Sequence, residues 1–317
     1  MAGVIVRRLI GSALLIVASS FIVFSLIYIA PGDPVDILLG GRPADAATRE
    51  AIRASYHLDQ PFLVQYGIWA TNALHGDLGR SVALRGTPVS DLISDRVVPT
   101  VQLALYASIL VAVVGLALGV LTGVRRGTRT DAVGSLGMLI AASMSPYVTG
   151  ILLIIVFSVS LDLFPVFGLG EGLADRIYHL TLPAIALALA LTALLGRVTR
   201  ASLSQALNRE YVETARCRGF SERRVVLKHA MRSALIPVIT VMGVILGYLI
   251  SGAVLVEYTF GLNGLGALLV DSVLTKDFPV AQGVILVFTV AFLVINLVVD
   301  LLYYVIDPRT RLARGAA

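Results

Sequence analysis

Six long apolar runs, separated by polar segments, restrict what this chain can fold into more than any other feature. The first runs from Leu9 to Ala30, and at about 1.5 Å per helical residue it is long enough to cross a hydrocarbon layer of roughly 30 Å. Charged residues make up only 14% of the sequence and lie mainly between the runs. The later runs cover about residues 97–124, 132–161, 179–195, 235–256 and 280–306. We therefore predict an all-α integral membrane protein with six transmembrane helices.

The first apolar run has an alternative interpretation as a cleaved signal peptide. The apolar part of such a peptide spans only about 7 to 15 residues, and no small-residue cleavage site follows this run. We expect the run to remain in the protein. The predicted organisation is then a first transmembrane segment in residues 1–30, an extracytoplasmic loop subdomain in residues 31–96, and a five-helix transmembrane core in residues 97–317.

The distribution of arginine predicts the orientation of the chain. Arginine is in excess at both termini and after the second and fourth runs, whereas the other connecting segments are neutral or acidic. Because positively charged loops stay on the cytoplasmic side, both termini are expected in the cytoplasm, with the protein in the plasma (inner) membrane. The net charge of +5 therefore reflects membrane orientation and does not indicate nucleic-acid binding.

The most informative polar segment is the central loop, residues 206–232, between the fourth and fifth runs. Three residues recur there at four-residue spacing: Leu207, Tyr211 and Ala215. This spacing predicts a short amphipathic helix that starts near Leu207 and buries these three side chains. Gly219 follows where a left-handed C-terminal cap would lie, and Ser221 with Glu222 can cap a second helix. The alternative is an ordinary basic loop that only orients the protein.

The order Glu213-Thr214-Ala215, three further residues, and Gly219 resembles the EAA loop of the permease subunits of ATP-binding-cassette (ABC) importers. Thr214 stands where that motif has alanine, and His229 to Arg232 replace its usual Ile-x-Leu-Pro run. The fuller string from Tyr211 through Pro237 is similar to the dipeptide and oligopeptide branch of that family.

Further strings along the chain are similar to the same branch. They are Ala30-Pro31-Gly32-Asp33-Pro34, Leu58-Asp59-Gln60-Pro61, Gln65-Tyr66, Gly76-Asp77-Leu78-Gly79, Val256-Glu257, Phe260, Gly264-Leu265-Gly266 and Gln282-Gly283. Asn263 departs from the pattern, because a proline is usual there. The resemblance covers nearly the whole chain.

The resemblance implies a type I importer permease fold whose cytoplasmic coupling helix docks on a separate ATPase. It places these residues in the ATPase-coupling loop: Tyr211, Glu213, Thr214, Ala215, Arg216, Arg218 and Gly219. It also implies a homologous second permease, two ATP-binding subunits that hold ATP and Mg, and an extracytoplasmic peptide-binding protein. The implied cargo is dipeptides or oligopeptides, although the branch also handles glutathione, nickel chelates and some sugars.

The residues themselves argue against an ATPase site in this chain. A P-loop needs a lysine after glycine and before serine or threonine, since that lysine and backbone amides hold the phosphates. Lys228 precedes His229, and Lys276 precedes Asp277. We therefore expect no cofactor in this chain, and no ligand spacing indicates a metal site.

Polar residues inside the apolar runs are candidates for a translocation path: Ser143, Ser145, Tyr147, Tyr248 and Ser251. Pro146 loosens the third run, so small hydroxyls there can line a wet path or simply accompany a kink. Gly243 and Gly247 share a strip with Ser251, for which close helix packing is the first interpretation. Asp300 is a functional candidate or the partner of a loop arginine.

Two other features bear on packing and on alternative functions. The second run carries Gly115, Gly119, Gly123 and Gly127 at four-residue intervals, which we interpret as a helix-packing strip. A self-sufficient secondary transporter or channel would need intramembrane ions, broken helices or an internal repeat, and no convincing repeat is seen. An intramembrane hydrolase using Ser251 and His179 lacks any accompanying oxyanion motif.

Overall fold

The computed structural model describes residues 2–29, 32–39, 43–84 and 86–306, with side chains described from residue 8 to residue 299 of these ranges. The described residues are overwhelmingly helical. The α-helices are α1 Ala2–Ile29, α2 Pro34–Leu38, α3 Ala46–Ser55, α4 Phe62–Leu74, α5 Val89–Val124, α6 Arg129–Ser143, α7 Pro146–Leu153, α8 Leu173–Leu207, α9 Glu210–Cys217, α10 Glu222–Arg224, α11 Met231–Thr259, α12 Leu265–Leu274 and α13 Phe278–Ile306. Two π-helical segments, Ile154–Ser160 and Val225–Ala230, extend α7 and join α10 to α11.

Five stretches of helix in the described chain are long and apolar enough to cross a membrane. They are Arg8–Ile29, Val89–Val124, Leu173–Leu207, Glu222–Thr259 and Phe278–Val299. A sixth crossing is formed if α6 and the α7 segment, Arg129–Ser143 and Pro146–Ser160, are counted as one broken span. The predicted number of six is reached only with this pair.

The third apolar run differs from the single span expected across residues 132–161. It breaks into α6 and α7, whose axes meet at 102°. Met144, between them, has an extended backbone with φ −86° and ψ 129°, and Pro146 begins the new helix. Proline disfavours the helical conformation in the residue before it, so Ser145 is also extended and the helix ends instead of only loosening.

The helices form two compact units. Among the described residues, the first consists of those up to Val101 together with Gly261–Val294, and the second consists of Gln102–Phe260 with residues 295–306. The first unit contains the short helices α2, α3 and α4 of the N-terminal polar region and the short apolar helix α12.

The glycine strip of α5 packs closely against α8 in the second unit, which confirms the packing interpretation. A Cβ atom on Gly119 would lie 2.4 Å from the Cβ of Thr199, and one on Gly115 would lie 3.1 Å from the Cβ of Leu195. Gly127 does not belong to this strip. It lies in the turn after α5 with φ +82°, where glycine supplies a left-handed conformation.

Aromatic side chains fix α4 against α1 in the first unit. Phe24 of α1 has ring centroids within 5.7 Å of those of Phe62, Tyr66 and Trp69 of α4. A second apolar cluster joins the start of α5 to α12 and α13; its buried members are Val89, Ile93, Leu265, Leu268, Val280 and Val284. Asp300 lies in α13, but its side chain is outside the described residues.

Candidate functional site

The central loop folds into a helix-turn-helix, with α9 as its first helix. The predicted start near Leu207 was wrong: Leu207 is the last residue of α8, and α9 begins at Glu210. Between them, Arg209 is extended, with φ −87° and ψ 144°, and this residue interrupts the helix. An interruption of two residues changes the phase of the helical face, which the four-residue spacing alone did not reveal.

The turn after α9 has the geometry predicted for Gly219. Its φ is +80°, and the amide of Gly219 donates to the carbonyl of Arg216 at 2.9 Å. The amide of Phe220 donates to the carbonyl of Ala215 at 3.4 Å. These two bonds form a Schellman motif, which satisfies carbonyl groups at the helix end and requires a left-handed residue. Glycine adopts that conformation without steric cost.

An aliphatic cluster holds α9 against the ends of α8 and α11. We call it the central-loop cluster; its buried members are Leu203, Ala206, Val212, Ala215, Val225, Val226, Ala230 and Ala234. Val212 and Ala215 are the buried residues of α9, whereas Tyr211 is 43% exposed. The expectation that Tyr211 would share the buried face was therefore wrong. Its hydroxyl instead hydrogen-bonds with the Oγ of Ser233 at 3.0 Å.

The opposite side of α9 presents polar groups outward. Glu213, Thr214 and Arg218 are all exposed, and the Thr214 hydroxyl donates to the carbonyl of Glu210 at 3.0 Å. Beside this helix, a cleft of about 840 Å³ is bordered by residues of α8, by Glu210 and Tyr211, and by the start of α11. A short, firmly seated helix with open hydrogen-bonding groups is suited to protein docking.

An ion pair spans the turn between the two helices of the central loop. Arg216 donates from Nε to Oε1 of Glu222 at 2.7 Å and from Nη2 to Oε2 at 3.4 Å. The hydrogen bonds that Arg216 donates to this carboxylate raise the pKa of its guanidinium, and charge attraction adds to the shift. Ser221 occupies the N-cap position of α10 as predicted, but its side chain makes no capping bond. The ion pair with Arg216 therefore fixes the position of Glu222.

The path candidates of the third run lie at the break between α6 and α7. Ser143, Ser145 and Tyr147 are all exposed, and the hydroxyl of Ser143 donates to the carbonyl of Leu139 at 3.0 Å. α7 packs against α8 and α11. The structure therefore brings these three residues together at one broken point.

The path candidates on α11 lie on an exposed stripe. Its members, spaced by three or four residues, are Thr240, Val244, Tyr248, Ser251, Leu255 and Tyr258. Gly243 and Gly247 are buried, and a Cβ on Gly243 would lie 2.0 Å from Cγ1 of Val299. Ser251, one turn after Gly247, is exposed, so close packing applies to the two glycines and leaves Ser251 as a path candidate.

An ion pair between a buried Asp131 of α6 and a partly exposed Arg200 of α8 was missed by the sequence reasoning. Nε and Nη2 of Arg200 donate to the two carboxylate oxygens of Asp131 at 2.5 and 2.8 Å, and the amide of Gly127 donates to the same carboxylate at 2.9 Å. The available signal was a lone aspartate in a short arginine-rich loop, which needs a nearby cation when buried. Its partner lies 69 residues away.

Within the described residues, no cluster of three or more His, Cys, Asp or Glu side chains could hold a metal ion. His179 is engaged by Asp175 one turn earlier, with Nδ1 3.0 Å from its carbonyl oxygen and 3.4 Å from its Oδ1. This local contact gives no support to a nucleophile–base pair with Ser251.

Known proteins resemble this chain along nearly its whole length. Residues 115–312 match the family described as binding-protein-dependent transport system inner membrane component, and residues 1–104 match the N-terminal part of such membrane components. The chain is 40% identical over 311 residues to the glutathione transport system permease protein GsiC of Escherichia coli strain K12, covering 98% of this chain and 99% of the relative. Identity and coverage are the same for GsiC of Shigella dysenteriae serotype 1 and of Shigella flexneri serotype 5b.

Proposed function

This chain belongs to the family of binding-protein-dependent transport system inner membrane components. From that premise we propose that it carries peptides across the membrane, with the energy supplied by ATP hydrolysis in separate ATPase subunits. Membership confirms the predicted importer permease with the type I fold, a multi-pass inner membrane protein that has no ATPase site of its own. A substrate-binding protein and an ATPase are the kinds of partner that such a permease has. The secondary transporter and the hydrolase are thereby set aside.

The exposed polar face of α9 is the proposed ATPase docking surface. The observation that carries this is the arrangement of one helix with its apolar side buried at Val212 and Ala215 and its polar side open at Glu213, Thr214 and Arg218. The central-loop cluster fixes the buried side of α9 and the Schellman turn ends the helix at Gly219, so the polar side is held in a defined position.

Force applied to α9 would reach two long helices at once. The central-loop cluster joins Val212 of α9 to Leu203 of α8 and to Ala234 of α11. Closely packed side chains transmit displacement because such a core does not deform continuously. The π-helical segment Val225–Ala230 lies between the turn and α11, and π-helical turns often occur at functional sites. A push on α9 is therefore expected to move α8 and α11 together.

The proposed path is formed by the break between α6 and α7 and by the exposed stripe of α11. Ser143, Ser145 and Tyr147 lie at the break, and Tyr248 with Ser251 lie on the stripe. Non-helical backbone at membrane depth is tolerated where it is covered by protein or lines a wet cavity, and hydroxyl groups can contact a peptide backbone. Movement of α11 would then change the width of this path.

The proposed assembly contains this chain, a homologous second permease, two ATPases that bind ATP and Mg, and an external peptide-binding protein. With both termini cytoplasmic, the arginine-rich central loop faces the ATPases and residues 31–96 face the binding protein. Glutathione is a tripeptide, so the permeases to which this chain is similar support a short peptide as cargo.

Two glycines with matched geometry test the docking role. Gly219 and Gly127 have φ values of +80° and +82°, and a Cβ on either would meet no atom within 4 Å. Valine at either position would have to adopt a left-handed backbone conformation, which costs at least about 1–2 kcal/mol. We expect Gly219→Val to reduce ATPase co-purification about tenfold, and Gly127→Val to leave it unchanged. Equal ATPase recovery from both variants would show that the turn after α9 is not the docking element.

The cargo is tested separately in proteoliposomes that contain the complete transporter and its binding protein. We expect ATP-dependent uptake of labelled glutathione or of a labelled dipeptide, and no uptake of either when ATP is replaced by a non-hydrolysable analogue. Uptake of a sugar with no uptake of either peptide would contradict the peptide cargo while leaving the docking role intact.

A further inference from the structure

A basic cavity lies beside the last turns of α5 and α8, apart from the exposed face of α9. Its volume is about 420 Å³. The lining residues are Arg126, Arg200, Ala201, Ser204, Gln205, Asn208 and Arg209. Three guanidinium groups, two side-chain amides and a hydroxyl therefore converge on one space, and all of them can donate hydrogen bonds.

The arginine side chains of this cavity carry more positive charge than the neighbouring carboxylate neutralises. Arg200 is paired with Asp131 through Nε and Nη2, which leaves Nη1 free of that carboxylate. Arg126 donates from Nη1 to the neutral hydroxyl of Ser204 at 2.9 Å. Neither Arg126 nor Arg209 has a carboxylate within 4.0 Å in the part of the chain that the structure describes. Three guanidinium groups and one carboxylate leave an excess of two positive charges.

The cavity begins at the depth where the apolar part of α5 ends. A Cβ on Gly123, in the last turn of α5, would lie 3.2 Å from the carbonyl oxygen of Arg200, so the two residues are level. At this level Leu121 and Val124 are 43% and 44% exposed. Exposed apolar side chains of α5 therefore lie within the same turns of helix as the cavity, at the end of a helix that is long and apolar enough to cross a membrane.

We propose that this cavity binds the phosphodiester headgroup of an anionic phospholipid. Guanidinium groups bind phosphate oxygens in a planar, two-bonded geometry, and basic pockets between transmembrane helices suit anionic headgroups. Ser204, Gln205 and Asn208 can donate to the remaining headgroup oxygens or to a glycerol hydroxyl. The proposal depends on insertion in the membrane and not on the ATPase docking role of α9.

The primary experiment measures lipid binding to the purified full-length chain by native mass spectrometry. Phosphatidylglycerol is titrated against a background of phosphatidylcholine. We expect phosphatidylglycerol to bind the unaltered chain preferentially, and Arg126→Gln with Arg209→Gln to weaken that binding by at least about tenfold. The matched control is Arg223→Gln with Arg232→Gln, which removes the same charge from exposed arginines outside the cavity and should not weaken it.

A second pair of variants avoids the loss of an existing contact. Ala201 lines the cavity and is exposed, so a longer side chain there is accommodated in the fold. Ala201→Glu places a negative charge against the headgroup and should reduce phosphatidylglycerol binding, whereas Ala201→Gln, of the same size, should not. If both variants reduced phosphatidylglycerol binding equally, or if neither reduced it, the proposed headgroup site would be overturned.

A third measurement distinguishes a lipid from a soluble anion or a protein. Glycerol phosphate and inorganic phosphate, added at the same concentrations, should not displace bound phosphatidylglycerol, because they lack acyl chains. Full displacement by either would identify a free phosphate site and overturn the lipid assignment. Loss of ATPase co-purification in Ala201→Glu with unchanged lipid binding would identify an acidic protein partner and would also overturn it.

Discussion

The central loop and the 77–88 loop are both polar segments that precede a long apolar helix, yet they arrange their hydrogen-bonding groups in opposite ways. The central loop is held from beneath by an aliphatic cluster and leaves Glu213, Thr214 and Arg218 exposed. The 77–88 loop turns the Ser81 hydroxyl and two backbone amides inward onto Asp277, which is 2% exposed. The first arrangement leaves bonding capacity for a partner, and the second uses it within the chain.

The inward arrangement is clear from the bonds that Asp277 accepts. Ser81 Oγ donates to its Oδ2 at 2.5 Å, the amide of Ala83 to the same oxygen at 3.0 Å, and the amide of Val82 to Oδ1 at 3.3 Å. Burial, together with the charges of Asp277 and Asp77, raises the pKa of nearby Tyr56 to about 12. The difference between the two loops supports the proposal that the central loop serves recognition, whereas the 77–88 loop serves stability.

The largest effect is expected from disrupting the central-loop cluster that holds α9 in place. Val212→Asp would place a carboxylate in the central-loop cluster, where Val212 is fully buried, at a cost of at least about 3 kcal/mol. Detachment of α9 is expected to cost less free energy than unfolding of the transmembrane helices. ATPase co-purification and peptide uptake should therefore be abolished, while the chain still elutes as a folded protein. Leu63→Asp introduces the same charge on α4, outside the central loop, at a side chain that is 69% exposed; it is the control and should retain the bound ATPase. Full ATPase binding by Val212→Asp would show that the cluster does not position the docking surface.

The next effect concerns the 77–88 loop and should have the opposite profile. Asp277→Ala removes the acceptor of one hydroxyl and two amides, which should lower the free energy of unfolding by about 2 to 4 kcal/mol. Thermal unfolding of the purified chain measures this, and ATPase co-purification should be unchanged. Asp271→Ala, at an exposed position of α12, is the matched control and should be neutral. A stable Asp277→Ala chain that loses its ATPase would reverse the comparison between the loops.

The smallest effect is on the ion pair across the turn. Arg216 and Glu222 are both substantially exposed, so solvent screening limits their coupling to about 0.2–1 kcal/mol. A double-mutant cycle with Arg216→Gln and Glu222→Gln, read out by ATPase co-purification, should give a coupling energy in that range that declines with added salt. A coupling several times larger would indicate that these two residues themselves form part of the bound interface.

Local chemistry explains what could be predicted from the sequence. Gly219 was placed in a left-handed turn because the helix pattern ended just before it, and the turn has the expected conformation. The start of α9 could not be placed, since the extended Arg209 has no distinctive side-chain signal and the four-residue spacing ran through it. Pro146 predicted a disturbance of the third run, but the 102° angle depends on how α7 packs against α8 and α11.

Long-range partners were beyond sequence reasoning. Ser81 and Asp277 are 196 residues apart, and Asp131 and Arg200 are 69 apart. Nothing in the local pattern of either residue identifies its partner, because the contact depends on which helices become neighbours. The central loop was interpretable for the opposite reason: α9 and its turn are defined by residues 209–220, although the cluster beneath them also draws on α8 and α11.

The chain carries its own probe for the central claim, because Cys217 is its only cysteine and is exposed at the end of α9. A photoactivatable crosslinker attached to Cys217 in the assembled transporter should join this chain covalently to an ATPase subunit on illumination. We expect that ATPase crosslink to be the main protein product. A crosslink to the external binding protein, or no ATPase product from a complex that contains the ATPase, would contradict it.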